Sequence, residues 1–162
     1  MYIVDSNCFI QNARSYNPMD IALSFWGKIT DLAKSSSFFS IDKVKAELVG
    51  SNDPLSAWAK ALPGDFFKVI GTEELRPYIE QIVPWAAGTN YKQSAKDRFL
   101  QADYADPFLV AYAMAHENVV VVTEEVSAKD SKKDIKLPNV CDHFGVQHMH
   151  FMDMLRVLNV TY

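Results

Sequence analysis

Short apolar runs alternate with longer stretches of helical period along the whole chain. Tyr2-Ile3-Val4 is apolar and stops at Asp5. Phe38 to Ile41 is a second such run, and Val119 to Val122 is continuous and β-branched, the pattern of a strand buried on both faces. Phe66 to Ile70 reads as a strand or as irregular chain, and Val146 to His150 as a last edge strand. The segments between them carry helix signals. Cys8 to Ala13 predicts a short helix followed by a loop over Arg14 to Pro18. Met19 to Ala33 sets Ile21, Ala22, Phe25, Trp26, Ile29 and Leu32 on one stripe. Asp42 caps a helix that runs through Val49, and Asp53-Pro54 starts another over Leu55 to Leu62. Thr72 to Ala87 is helical, with Pro77 near its start and Pro84 interrupting its end, and Tyr91 to Gln101 is a further helix. In ADYADPFLVAYAMAHENVVVVTEE, Asp106-Pro107 opens a helix on which Leu109, Val110, Ala113 and Met114 recur. Asn139 to Phe144 is a short helix stopped by Gly145, and Phe151 to Leu158 is a terminal one.

Strands that alternate with helices predict an α/β fold built on a mainly parallel sheet. With 162 residues and no repeat, residues 1–162 form one expected domain, with a helical lobe around 54–101. Composition narrows the picture. Hydrophobic content of 49% fits a packed core, and no apolar run is long enough to cross a membrane. The stretch MYIVDSNCFI lacks a basic leader and a long apolar segment, and the two cysteines, Cys8 and Cys141, do not make a disulfide scaffold. A reduced, cytoplasmic setting is expected. The net charge of −4 speaks against broad, charge-driven nucleic-acid binding but leaves room for a local basic patch.

The candidate chemistry lies in four acids. Asp5 ends the first strand, Glu47 lies in the helix after the second, Asp106 opens the helix before the valine strand, and Glu125 follows that strand. In an open parallel sheet such positions converge at the carboxyl ends of the strands, where ligand crevices form. Several carboxylates in one crevice suit a hard cation such as Mg²⁺ or Mn²⁺. Simpler roles stand beside these. Asp106 is a good helix cap, with Asp103 as its rival; Glu47 is a candidate for an exposed helix position; Glu125 starts a loop, with Glu124 as its rival. Lys129, Lys132, Lys133 and Lys136 form a basic loop that suits phosphate contacts or simple solvation, and Arg14 and Tyr16 are a weaker pair of the same kind. Cys141, His143, His148 and His150 match no standard zinc spacing. Trp26, Trp58 and Trp85 are expected in packing.

YIVDSN at 2–7, VKAEL at 44–48 and ADPFLVAYAMAHENVVVVTEE at 105–125 resemble PIN-domain nucleases, the family that includes VapC-type toxins. LPNVCDHFGV at 137–146 is similar to a toxin-like subgroup of poorly assigned function. The resemblance implies a PIN-like three-layer α/β fold with a central mainly parallel sheet. It implies a Mg²⁺- or Mn²⁺-dependent endoribonuclease, often homodimeric and inhibited by a cognate antitoxin protein. Asp5, Glu47 and Asp106 would be the main metal and water-positioning acids, with Glu125 accessory. Asn7 and Thr123 would orient carboxylates or the attacking water. The chain departs from the family at Glu125, where Asp is usual. Two other functions compete. A PIN-like interaction module without activity is one. A phosphotransfer domain of haloacid-dehalogenase or receiver type is the other, disfavoured because Asn7 stands where the former carries a second Asp.

Overall fold

The computed structural model describes residues 1–162, the side chain of Thr72 excepted. Five strands form one parallel sheet: β1 (Tyr2–Val4), β2 (Phe38–Ile41), β3 (Phe67–Lys68), β4 (Val120–Val122) and β5 (His148–Met149), in the order β3-β2-β1-β4-β5. The intervening helices are α1 (Ser6–Gln11), α2 (Leu23–Leu32), α3 (Asp42–Val49), α4 (Pro54–Ala61) and α5 (Thr72–Gly88). They continue as α6 (Gln93–Phe99), α7 (Asp106–Ala115), α8 (Leu137–Phe144) and α9 (Phe151–Val157). The expected three-layer α/β architecture is therefore present.

Neighbouring residues of β2 show how the layers form. Successive side chains of a strand point to opposite faces. Phe38 meets Phe9 of α1 and Phe151 of α9, while Phe39 meets Tyr112 of α7. One layer is an aromatic cluster in which Phe9 also touches Trp58 and Phe66, and Trp26 packs on Trp58. The other is built by α5 to α8, where Leu75, Ile82 and Ala86 of α5 are fully buried with Leu109 and Val110 of α7. No helix among the described residues is long and apolar enough to cross a membrane.

Several local expectations need correction. Where the short helix was expected to run to Ala13 and a loop to follow from Arg14, a π-helical turn spans Asn12–Tyr16, closed by Asn17 N–H donating to the Asn12 carbonyl at 2.7 Å. Buried Asn12 ties that turn back, its amide donating to the Cys8 carbonyl at 2.7 Å. The second helix starts later than its apolar stripe suggests, at Leu23, and Ile21 is 76% exposed. Asp42 is the first residue of α3 rather than its cap. Pro84 does not interrupt α5. Pro84 and Glu80 are both exposed, so the carbonyl that loses its partner faces water. By contrast Asp53 caps α4 as expected, accepting from Ser56 N–H at 2.8 Å.

The chain steps from β1 to β2 to β3 on one side of the sheet, then returns to add β4 and β5 on the other. The connections diverge where β1 and β4 end, the topological switch point at which open α/β sheets bind ligands.

Gly145 ends α8 at φ +68°, and Val146 N–H then donates to the Cys141 carbonyl at 2.9 Å. A Cβ there meets no atom within 4 Å, so only the left-handed backbone opposes a side chain. Gly145→Ala is expected to lower stability by about 1 kcal/mol, read from urea unfolding midpoints at constant slope.

Candidate active site

Asp5 leaves β1 at the switch point and is 1% exposed. Its backbone N–H donates to the Val122 carbonyl at 2.9 Å, which continues the β1–β4 ladder past its last residue pair. The carboxyl is held on both oxygens. Thr123, the first residue after β4, donates its hydroxyl to Oδ2 at 2.8 Å, and Ser6 donates to Oδ1 at 3.3 Å. Burial pushes the Asp5 pKa up to about 6; the Thr123 hydrogen bond and the Asn7 backbone N–H pull it down, while Glu125 and Glu47 push it up. Asn7 thus acts on Asp5 through its main chain. Thr123 holds the Asp5 carboxyl through its hydroxyl.

Asp106 opens α7 and is 5% exposed, whereas its rival Asp103 lies exposed in the preceding loop. Burial raises the Asp106 pKa well above the usual carboxylate range, and Asp5, Glu125 and Glu47 raise it further; Tyr104 opposes them with a hydrogen bond. Two residues of α3, four apart and so on one face, hold the segment before Asp106. Lys43 Nζ donates to the Ala102 carbonyl at 2.7 Å and sits 4.2 Å from the Phe108 ring centroid. Glu47 Oε1 accepts from Ala105 N–H at 3.2 Å. Glu47 is exposed, as its simpler reading has it, yet it lies within electrostatic reach of both buried acids.

Glu125 is the member of the Thr-Glu-Glu run that faces this site. Its side chain is 14% exposed, with Oε1 accepting from Lys136 Nζ at 3.0 Å and Oε2 from Leu137 N–H at 2.8 Å. Thr123 Oγ also accepts from Glu125 N–H at 3.1 Å. Burial alone would lower the Lys136 pKa, but the hydrogen bond and charge of Glu125, with Asp134 and Asp106, raise it instead. Lys136 is therefore a counter-ion of the site rather than a free loop lysine. Glu124 turns the other way, with Oε2 3.7 Å from His150 Nδ1 and Oε1 buried without a partner.

The fit to a hard divalent cation rests on the donor chemistry. The available side-chain donors are carboxylate oxygens, and two of the carboxyls are buried, with pKa values raised first by burial and then by neighbouring acids. Among the described residues, no three His, Cys, Asp or Glu side chains stand close enough to hold a metal ion as placed. Glu125 is the least available of the four, because one of its oxygens is paired with the Lys136 ammonium and the other with the Leu137 N–H.

The remaining residues of interest fall outside this cluster. Arg14 is exposed on the π-helical turn and lines a groove of about 320 Å³ with Glu47, Met19 and Asp53. Lys129 and Lys133 are exposed on the 126–136 loop and Lys132 is half-buried, its Nζ 5.2 Å from the Tyr91 ring centroid. Cys141 is buried in α8, while His148 pairs with Asp142 at 3.0 Å and His150 with Glu124. Tyr104 and the stitching role of Lys43 were not legible in the sequence. Tyr104 lies in the loop before α7 with no local pattern to mark it, and the only trace of Lys43 was its spacing of four from Glu47.

The chain belongs to the family described as a domain of unknown function, DUF4411, whose profile matches residues 2–162. No curated protein and no solved structure matches the chain.

The raised carboxyl pKa values set the sign of a stability trend. A native state that binds more protons than the unfolded chain loses stability as pH rises between the two pKa values. For Asp5 that window runs from 3.8 to about 6. Asp5→Asn is expected to remove up to about 3 kcal/mol of this loss, so that urea unfolding of the variant and the parent diverges as pH rises through that window. Lys136→Met leaves Glu125 beside two acids without its counter-ion. It is expected to lower stability at pH 7 by about 1–2 kcal/mol in the same assay, an effect abolished in the Lys136→Met/Glu125→Gln double variant.

Proposed function

We propose that this chain is a PIN-like, divalent-metal-dependent endoribonuclease that hydrolyses RNA phosphodiester bonds. The observation that carries the reading is the pair of buried carboxyls, Asp5 and Asp106, with Glu47 and Glu125 adding negative charge around them. Lys136 offsets one charge, leaving the cluster a net anion. An anionic crevice repels an RNA phosphate unless a cation lies between them. Asp5, Asp106 and Glu47 would hold Mg²⁺ or Mn²⁺, which supplies an activated water and stabilises the leaving oxygen.

The chain's own residues divide the remaining work. Thr123 and Ser6 fix the rotamer of the Asp5 carboxyl. Lys43 and Glu47 of α3 set the start of α7 and with it Asp106. Glu125 acts through Lys136 and the start of α8 rather than as a direct ligand. Its longer arm, where PIN relatives carry Asp, suits that outer role. The resemblance to VapC-type toxins adds a toxin–antitoxin setting, a homodimer and a cytoplasmic location to the proposal.

One observation favours a second reading, an inactive PIN-like interaction module: both oxygens of Glu125 are engaged, by Lys136 and by Leu137 N–H. A haloacid-dehalogenase or receiver chemistry has less support, since Asn7 follows Asp5 by two residues and β4 ends in Thr-Glu-Glu.

Incubation of the purified protein with single-stranded RNA oligonucleotides separates these readings. Cleavage is expected with Mg²⁺ or Mn²⁺, reduced about 100-fold or more in Asp5→Asn and Asp106→Asn, and roughly tenfold in Glu125→Gln. Mn²⁺ is also expected to raise the Tm of the parent protein and not of the Asp5→Asn/Asp106→Asn variant. A parent protein that neither cuts RNA nor responds to either cation in its Tm is the module without activity.

A further inference from the structure

A second pocket, of about 300 Å³, lies between the end of α5, the lysine loop and α8. Its walls are Trp85, Tyr91, Lys129, Asn139, Asp142 and His143. Trp85 was expected in packing, and one side of it is packed: it meets Phe144 at 5.5 Å and Phe99 at 6.5 Å, both edge-on. The ring is nonetheless only half-buried, and exposed His143 stacks on it at 4.9 Å with an interplanar angle of 25°. The result is a fixed aromatic platform at the surface.

The pocket's polar wall is fixed as well. Asn139 Nδ2 donates to the Tyr91 hydroxyl at 3.2 Å. Asn139 Oδ1 accepts from Ser127 Oγ at 2.7 Å and from Ala128 N–H at 3.2 Å. Lys92 N–H donates to the Lys132 carbonyl at 2.9 Å. The loop is therefore pinned at both shoulders, while the Lys129 side chain stays 77% exposed and Lys132 lies over the Tyr91 ring. The same loop leaves the acidic site at Glu125 and returns to it at Lys136. The loop that lines the pocket through Lys129 is thus anchored at both its ends on the acidic cluster.

Aromatic rings interleaved with lysines are the recurring means of holding unpaired nucleic acid, since every base has a stacking face and every linkage a phosphate. A platform of this kind cannot admit a duplex, whose bases are already stacked. Asp142 on the pocket wall argues against a phosphate inside it. Its Oδ1 accepts from His148 at 3.0 Å and its Oδ2 lies 3.7 Å from Lys129 Nζ, which leaves acceptor capacity for the amino group of a base.

We propose that this pocket seats one unpaired nucleobase of a single-stranded RNA, stacked on the Trp85–His143 platform, with the flanking phosphates on Lys129 and Lys132. The proposal rests on the ribonuclease reading for its substrate, and it names that substrate as single-stranded with a base splayed out beside the cleavage site. The acidic cluster repels the backbone, and this pocket supplies the attraction that keeps the strand at the crevice.

Binding is measured in the Asp5→Asn/Asp106→Asn background, with fluorescein-labelled octa-adenylate and octa-uridylate as probes and circular dichroism as the check on folding. The oligonucleotides are expected to quench tryptophan emission, with the quench lost in Trp85→Phe/His143→Ala. His143→Ala, at an exposed position, is expected to weaken binding several-fold and Trp85→Leu about tenfold or more, with the salt dependence unchanged. Lys129→Ala and Lys132→Ala are each expected to reduce the slope of log affinity against log salt by roughly 0.7. An oligonucleotide with abasic ribose throughout is expected to bind the parent no better than the Trp85→Leu variant. Unchanged emission together with unchanged affinity in His143→Ala and Trp85→Leu overturns the pocket. Equal competition by free adenosine or uridine monophosphate overturns its assignment to RNA. Cleavage by the parent protein with no effect of Trp85 or His143 removes this pocket alone. Binding through Trp85 without cleavage by the parent removes the nuclease reading and leaves the pocket standing.

Discussion

The hydrogen bond from the Thr123 hydroxyl to Asp5 joins the ends of β1 and β4, and much of the site depends on it. The two strands pair residue for residue, Val4 opposite Val122, and the next backbone pair continues through Asp5 N–H. A carboxyl placed there has no choice but to be buried, because both flanking strands carry fully buried side chains on each face. Burial without a hydrogen bond to the charged form would favour the neutral acid still more strongly. Thr123 is the local compensation, and Ser6 and the Asn7 backbone add to it. The neighbouring acids then work against that compensation. The protein keeps a cluster of like charges whose mutual repulsion lowers its own stability, a conflict that natural chains retain at functional sites.

Compensation is uneven across the cluster, and the unevenness divides the roles. Glu125 has an ammonium and a backbone N–H, one on each oxygen. Asp106 has the Tyr104 hydrogen bond, with the Lys136 charge within electrostatic reach, against burial and three like charges. Glu47 uses one oxygen on the start of α7 and leaves the other toward solvent, beside the groove that Arg14 also lines. The cost of burying acids side by side is therefore concentrated on Asp5 and Asp106, whose pKa values are raised. Lys136 ties this arrangement to the surface loop: the residue that answers Glu125 is the last of four lysines, of which Lys132 lies over Tyr91, Lys129 pairs with Asp142 at 3.7 Å and Lys133 is exposed.

The α/β class, the parallel sheet and the positions of β1, β2 and β4 followed from pattern alone. Buried parallel strands are near-continuous apolar runs, and the valine run and Tyr2-Ile3-Val4 have few alternative folds. Asp5 and Asp106 were legible for the same reason, since each stands at the edge of an unambiguous element. Asp53 was legible because a cap acts on its own helix. Where the outcome depended on residues distant in sequence, local pattern failed. Ile21 has the right spacing to be buried, yet the helix begins after it. The turn over Asn12–Tyr16 is π-helical because buried Asn12 bonds back to Cys8. Pro84 is tolerated within α5 because buried Leu75, Ile82 and Ala86 hold the helix on both sides of it.

The sequence by itself determined which residues end the strands and that acids occupy those ends, because strand and helix boundaries are set by neighbours a few positions away. Only the tertiary structure decided between Asp103 and Asp106, between Glu124 and Glu125, and between a free and a paired Lys136. Each choice turns on burial or on a partner far along the chain. For residues 102–125, local order fixed the acid, the helix and the strand. Contacts from α3, Ser6 and α8 fixed which acid faces which, since electrostatic coupling acts through space and leaves no period in a sequence.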